Sequence, residues 1–226
     1  MILMIESSGP VGSVAICDTK GNSLGSLFSD QPNAHAELLP GMVEKVMNLA
    51  GINTGDLLAV AVNKGPGSYT GLRIGASLAK GLCFGLNIPL IAADGLKVMS
   101  LQASKHGIPG DAYVCMVDAR RDEVFYAVYD HQFQQMEPLS AKILAPGAWQ
   151  MLEQKHIVFC GNATDKMKQL VPEHADAPGY DGLPQASEFA SEVARQFNAG
   201  EFADTAYFEP DYGKAFMAGV TKKFVP

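Results

Sequence analysis

Two carboxylates in similar settings are the first residues to suggest chemistry. Glu6 closes the apolar run Ile2-Leu-Met-Ile, and Asp118 closes Tyr113-Val-Cys-Met-Val. A carboxylate at the end of a buried strand can hold a metal–nucleotide complex, provided the next turn lets phosphates approach the backbone. Here the turns read Glu6-Ser7-Ser8 and Asp118-Ala119-Arg120, with no glycine two positions after either acid. A third candidate is Gly65-Pro66-Gly67-Ser68-Tyr69-Thr70-Gly71, a glycine-rich loop whose amides could cradle an anion at a helix start. No Gly-Lys-Ser/Thr follows, so it is not a P-loop. Thr70 stands where a dinucleotide fingerprint needs its third glycine, and Asp94 is too far downstream for the ribose acid. The competing use is local: Pro66 and the glycines set a turn, and Ser68 or Thr70 caps the helix.

The remaining polar clusters point to no metal or nucleophile. The five histidines include no pair four apart around a carboxylate, and His35-Ala36-Glu37 at a helix start reads as a surface cap. Cys17, Cys83, Cys115 and Cys160 are widely spaced within apolar runs and read as buried, reduced small hydrophobes of a cytoplasmic protein. Asp118-Ala-Arg-Arg-Asp-Glu123 is a dense charged turn, read either as solvated charge or as a carboxylate–guanidinium pairing.

The elements that must position these residues follow from apolar periodicity. Runs at 2–5, 12–17 and 24–28 predict a three-stranded meander. A helix over 34–50 carries Leu38, Met42 and Val46 on one ridge and Leu39, Val43 and Met47 on the next. Pro40 either marks its start or kinks it. A strand at 57–62, a helix at 70–85, a strand at 88–92 and a helix at 95–105 complete the first half. In the second helix Gly71, Gly75, Ala79 and Cys83 recur every four residues, flanked by Gly81 and Gly85. Interior helical glycines cost about 1 kcal/mol each against alanine, so close packing must explain them, either within the chain or at a protein interface.

After a break at 106–111 the pattern restarts, with strands at 113–118, 124–130 and 157–160, a helix from about 163 and another between 184 and 198. In one ungapped register Glu6 falls on Asp118, Asp18 on Asp130, Met4 on Met116 and Ala15 on Ala127. Two tandem β-β-β-α-β-α halves with mixed sheets predict an α/β, actin-like (ASKHA, ribonuclease-H-like) duplication. A doubly wound dinucleotide fold would alternate strands and helices strictly instead. The expected domains are 1–107 and 108–226, with the last ~20 residues assigned to neither. With 226 residues, 47% apolar, the chain has enough to bury a core and is not disordered. A net charge of −7 argues against free-standing nucleic-acid binding, though not against service to a basic partner. The N-terminus, lacking basic residues and reaching a carboxylate at Glu6, reads as a strand rather than a signal peptide, and no run is long enough for a membrane helix.

Four motifs in order resemble the TsaB (YeaZ) family: Ile2-Leu-Met-Ile-Glu-Ser-Ser8, His35-Ala-Glu-Leu-Leu-Pro40, Gly65-Pro-Gly-Ser-Tyr-Thr-Gly-Leu-Arg-Ile-Gly75, and Val117-Asp-Ala-Arg-Arg121 with Glu123-Val-Phe125. The departures are Glu6 for Asp, Tyr69 for Phe, Ala36 for Ser, and Pro210-Asp-Tyr-Gly-Lys214 where the family often has Pro-x-Tyr-Leu-Arg. No role is assigned to that last segment. The resemblance implies an actin-like fold and a non-catalytic scaffold or activator of TsaD. TsaD transfers the threonylcarbamoyl group to adenosine 37 of ANN-decoding tRNAs. TsaE joins the complex, TsaC makes the adenylate, and tRNA is contacted mainly through the complex. The family implies a homodimer for the chain alone, and no cofactor, metal or catalytic residue in it. It also implies that the first two helices form the partner face, here Leu38, Met42, Val46, Gly71, Leu72, Gly75 and Ala79. On that reading Gly75→Leu abolishes association and leaves the chain folded. Glu6, Ser7, Asp118 and Arg120 are left as vestigial phosphate-loop or cleft residues. The alternative is a nucleotide-dependent phosphotransferase, which would show micromolar Mg-ATP binding lost in Glu6→Ala.

Overall fold

The structure is a computed structural model that describes residues 1–152 and 156–214. Short apolar runs around tight turns form β1 (Ile2–Glu6), β2 (Ser13–Cys17) and β3 (Ser23–Phe28). There follow α1 (His35–Ala50), β4 (Ala59–Asn63), α2 (Tyr69–Leu86), β5 (Leu90–Ala93) and α3 (Gly95–Lys105). The second half contains β6 (Ala112–Asp118), β7 (Glu123–Asp130), β8 (Gln135–Ile143), β9 (Ile157–Cys160), α4 (Thr164–Leu170), β10 (Gly179–Tyr180) and α5 (Ala190–Ala199). The sheets run β3-β2-β1-β4-β5 and β8-β7-β6-β9-β10, the same order twice. In each, an antiparallel meander continues into parallel strands. The α/β duplication with mixed sheets is therefore present.

Periodicity misses β8 because Pro138 interrupts its pattern; β8 is an edge strand, where a missing N–H is tolerated. It misses β10 because two residues have no period. Pro40 does not start α1, which begins five residues earlier at His35. His35 is not a surface cap: it is buried over Gly12, and its Nε2 has no hydrogen-bond partner among the described residues. The four cysteines are free and buried.

The repeat register is corrected by one residue. Ile2 and Met4 face one side of the first sheet with Ala59 and Ala61, and Glu6 shares their side by strand alternation. In the second sheet Ala112, Val114 and Met116 face α4, and Asp118 continues that side, reaching Lys166 of α4. Pairing confirms the slip: Met4 lies opposite Ala15, but Met116 lies opposite Tyr126 rather than Ala127. A one-residue slip exchanges faces, so Glu6 and Asp118 are not equivalent.

The layers interlock. Leu39, Val43 and Val46 of α1 and Ala79 and Cys83 of α2 pack on Leu3, Ile5, Val60 and Val62 of the first sheet. Its opposite face is covered by the turn Ala186–Phe189 and by Ala190 and Val193 of α5. Leu96, Met99 and Ala103 of α3 pack instead on Tyr113, Cys115 and Val117 of the second sheet. Each inner face is thus closed by a helix from the other half of the sequence. No helix among the described residues is long and apolar enough to cross a membrane.

Candidate functional site

The turns after β1 and β6 meet across one cleft of about 470 Å³, lined by Ser8, Gly67, Tyr69, Thr70, Asp118 and Arg120 among others. The glycine-rich loop folds onto the first turn rather than opening toward an anion. Ser68 donates its amide to the Ser8 carbonyl (2.8 Å), and a Cβ on Gly67 would lie 2.6 Å from that same oxygen. The Gly65 amide is taken by Asn63 Oδ1, that of Gly71 by Ser68 Oγ, and that of Leu72 by the Ser68 carbonyl. Ser68 is therefore the helix cap, and these four amides serve the fold instead of a phosphate.

Glu6 sits almost fully buried beside a second cavity of about 310 Å³, bordered by Ser13, Phe28, Asn162, Leu183 and Gln185. Its oxygens accept from the Ser8 amide (2.5 Å) and Asn63 Nδ2 (2.6 Å), and among the described residues no cation is paired with it. Burial pushes its carboxyl above the ordinary 4.5, against the hydrogen bonds from Ser8 and Asn63. The native state then holds a proton that the unfolded chain releases near pH 4.5. The resulting stabilisation is complete below that pH and is lost as pH rises through the native value. Glu6→Gln removes this term. The stability of the parent relative to Glu6→Gln, measured by urea unfolding from pH 4.5 to 8, is expected to fall with pH at no more than about 1.4 kcal/mol per unit. A flat difference overturns this reading.

Asp118 is half-exposed and differently held. Lys166 Nζ reaches its Oδ1 at 2.7 Å, the Arg120 amide donates to the same oxygen at 2.7 Å, and Asn162 accepts the Asp118 amide. Burial alone would raise the carboxyl, but Lys166 and the Arg120 amide hold it below the ordinary range. Of the two readings of the charged turn, the exposed Arg120, Arg121 and Asp122 fit solvated charge, while Asp118 is held by a carboxylate–ammonium pair rather than by a guanidinium. Sequence reasoning missed Asn63, Asn162 and Lys166, which come from distant segments. Among the described residues no three His, Cys, Asp or Glu gather as a metal site.

Of the residues named for a partner face, Val46, Leu72 and Ala79 have no exposure, and Met42, Gly71 and Gly75 are buried. Only Leu38 reaches the surface in part. A Cβ on Gly71 would overlap the Ser7 carbonyl oxygen, and one on Gly75 would overlap Ser7 Oγ. The four-residue stripe therefore packs within the chain. The outward faces carry other residues: Gly41, Gly81 and Gly85 are exposed, with nothing among the described residues within 4 Å of where a Cβ would stand. Half-exposed Leu38, Ile74, Leu78 and Leu82 lie beside them.

The segment Pro210–Lys214 also acquires a place. Asp211 donates its amide to the Lys64 carbonyl (2.6 Å), Tyr212 packs 4.6 Å from Tyr69, and Lys214 pairs with Glu123. Lys80 holds the approach to it through the Ala206 and Phe208 carbonyls. It ties the glycine-rich loop to β7 across the cleft.

Duplicated mixed sheets around a central cleft define an actin-like α/β protein. YeaZ from Pseudomonas aeruginosa superposes with a TM-score of 0.77 over 93% of this chain and 98% of that one, at 24% identity, a likeness of fold. The family model described as TsaD: tRNA N6-adenosine threonylcarbamoyltransferase matches residues 29–220. The tRNA threonylcarbamoyladenosine biosynthesis protein TsaB of Bacillus subtilis is 33% identical over 178 residues, 75% of each chain. A tRNA N6-adenosine threonylcarbamoyltransferase of Granulibacter bethesdensis is 34% identical over 128 residues, 50% of this chain but 35% of that protein. The even coverage decides between the two names: the chain belongs to the TsaB (YeaZ) family.

Proposed function

We propose that this chain is a non-catalytic partner that supports TsaD in forming threonylcarbamoyladenosine in tRNA, through the outward faces of α1 and α2. The observation that carries the proposal is the set of exposed helical glycines, Gly41, Gly81 and Gly85, facing open space. Each costs about 1 kcal/mol of helix stability and nothing among the described residues requires it, so close approach of another backbone is the compensating contact. Half-exposed Leu38, Ile74, Leu78 and Leu82 supply the apolar part of the same surface. The amides consumed within the Gly65–Gly71 loop favour this over a phosphotransferase, which needs them free. TsaE and TsaC would act in the same pathway, the first within the complex. The test is to reconstitute tRNA modification from purified components with and without the chain. Modification is expected to fall to background without it, and full activity in its absence sinks the proposal.

A further inference from the structure

We propose that the β6–β7 turn is a preformed binding site for RNA backbone phosphates, presented by Arg120 and Arg121. The choice of RNA rests on the tRNA pathway proposed above. The chain has only four arginines, and two are adjacent here. Both adopt left-handed backbone, φ +71° and +49°, which is unfavourable for any residue with a Cβ and persists only where the surroundings enforce it. Lys166 is the enforcing group. Besides Asp118 Oδ1, its ammonium takes the carbonyls of Arg121 (2.9 Å) and Glu123 (2.7 Å), so a lysine from α4 holds the turn at three points.

The same contacts free the guanidiniums. Two of the turn's carboxylates are claimed by lysines, Asp118 by Lys166 and Glu123 by Lys214. Among the described residues neither arginine makes a direct ion pair, although the Arg120 charge still helps hold the Asp118 carboxyl down; both are exposed, and Asp122 is the one other acid of the turn. Arg195, by contrast, is locked between Glu192 and Glu201. Arg120 borders the central cleft, facing Tyr69 across it, and both arginines line a groove of about 470 Å³ that ends on exposed Ile143. A rigid pair of planar donors beside an open groove suits phosphate oxygens, which guanidinium binds in bidentate fashion. An overall charge of −7 keeps such a contact weak in the free chain. It would add to a partner's grip on the RNA rather than replace it.

The four arginine Nε–H resonances make the test direct. They are assigned by single Arg→Lys variants of the ¹⁵N-labelled chain, which is then titrated at low salt with an unmodified tRNA transcript, Mg-ATP or polyglutamate. The transcript is expected to shift or broaden Arg120 and Arg121 while leaving Arg195 in place, with neither Mg-ATP nor polyglutamate matching it. In Arg120→Gln/Arg121→Gln the affinity for the transcript should drop about tenfold and the slope of log K against log salt should flatten by about 1 to 2, whereas the double lysine variant should keep the slope. Unmoved Arg120 and Arg121 overturn the site; an equal response to Mg-ATP or polyglutamate overturns the RNA assignment. Because TsaD is absent from the titration, a failed complex and a failed phosphate site are separate results.

Discussion

Gly75→Leu is expected to leave the chain without its native fold, as low soluble yield or a melting temperature more than about 10 °C below the parent. This reverses the expectation drawn from the sequence, in which that variant lost only its partner. Gly75 lies in α2 where the helix crosses the turn after β1, with Ser7 Oγ overlapping the Cβ position and Val62 Cγ2 at 3.5 Å. A leucine there has no space between the helix and the sheet. The cost of overpacking, roughly 1–3 kcal/mol or more, is a large part of a total stability of about 5–15 kcal/mol. Ser7 Oγ is buried and has no hydrogen-bond partner among the described residues. Ser7→Ala alone is therefore expected to be neutral or stabilising by about 1 kcal/mol, and to recover much of the loss in Gly75→Ala. Thermal melts of the four proteins of this cycle check the argument. A Gly75→Leu chain that melts like the parent refutes it.

Gly81→Arg should do the opposite: keep the fold and lose the partner. No atom of the described residues lies within 4 Å of its Cβ position, and arginine improves on glycine in a helix by about 0.8 kcal/mol, so the melting temperature should hold or rise. At a close helix–helix approach, a long charged side chain separates the backbones and strands a desolvated charge. The affinity for TsaD is then expected to fall at least about 100-fold, near 2.7 kcal/mol. Titration calorimetry against TsaD, with circular dichroism as the folding control, reads both effects. Unchanged affinity in a folded Gly81→Arg chain removes α2 from the interface.

These two glycines show how far the sequence could be read. Both stood out as helical glycines in need of a packing reason, and the spacing Gly71-Gly75-Ala79-Cys83 correctly placed those residues on one face. Which glycines look inward depends on where the turn after β1 passes, a contact between residues about 65 positions apart. Glu6 and Asp118 show the same limit. Both strand ends were legible, but an ungapped alignment hid a one-residue slip that pairing alone reveals, and at period two such a slip exchanges the faces. Lys166 lies 48 positions from the aspartate it holds, and no local pattern marks it.

By itself the sequence determined what depends on neighbours along the chain: the meander, the helices, a hydroxyl cap at Ser68 or Thr70, the break near 106–111 and the motifs that carry the family resemblance. Turn chemistry and apolar period are properties of a few consecutive residues, so they survive without the fold. The tertiary structure decided which glycines serve the core and which face outward, that α3 and α5 close each other's sheets, and that among the described residues lysines, not Arg120 or Arg121, make the ion pairs to Asp118 and Glu123. Burial, register and ion pairing are set where distant segments meet, and that meeting is specified by the packing of the whole chain.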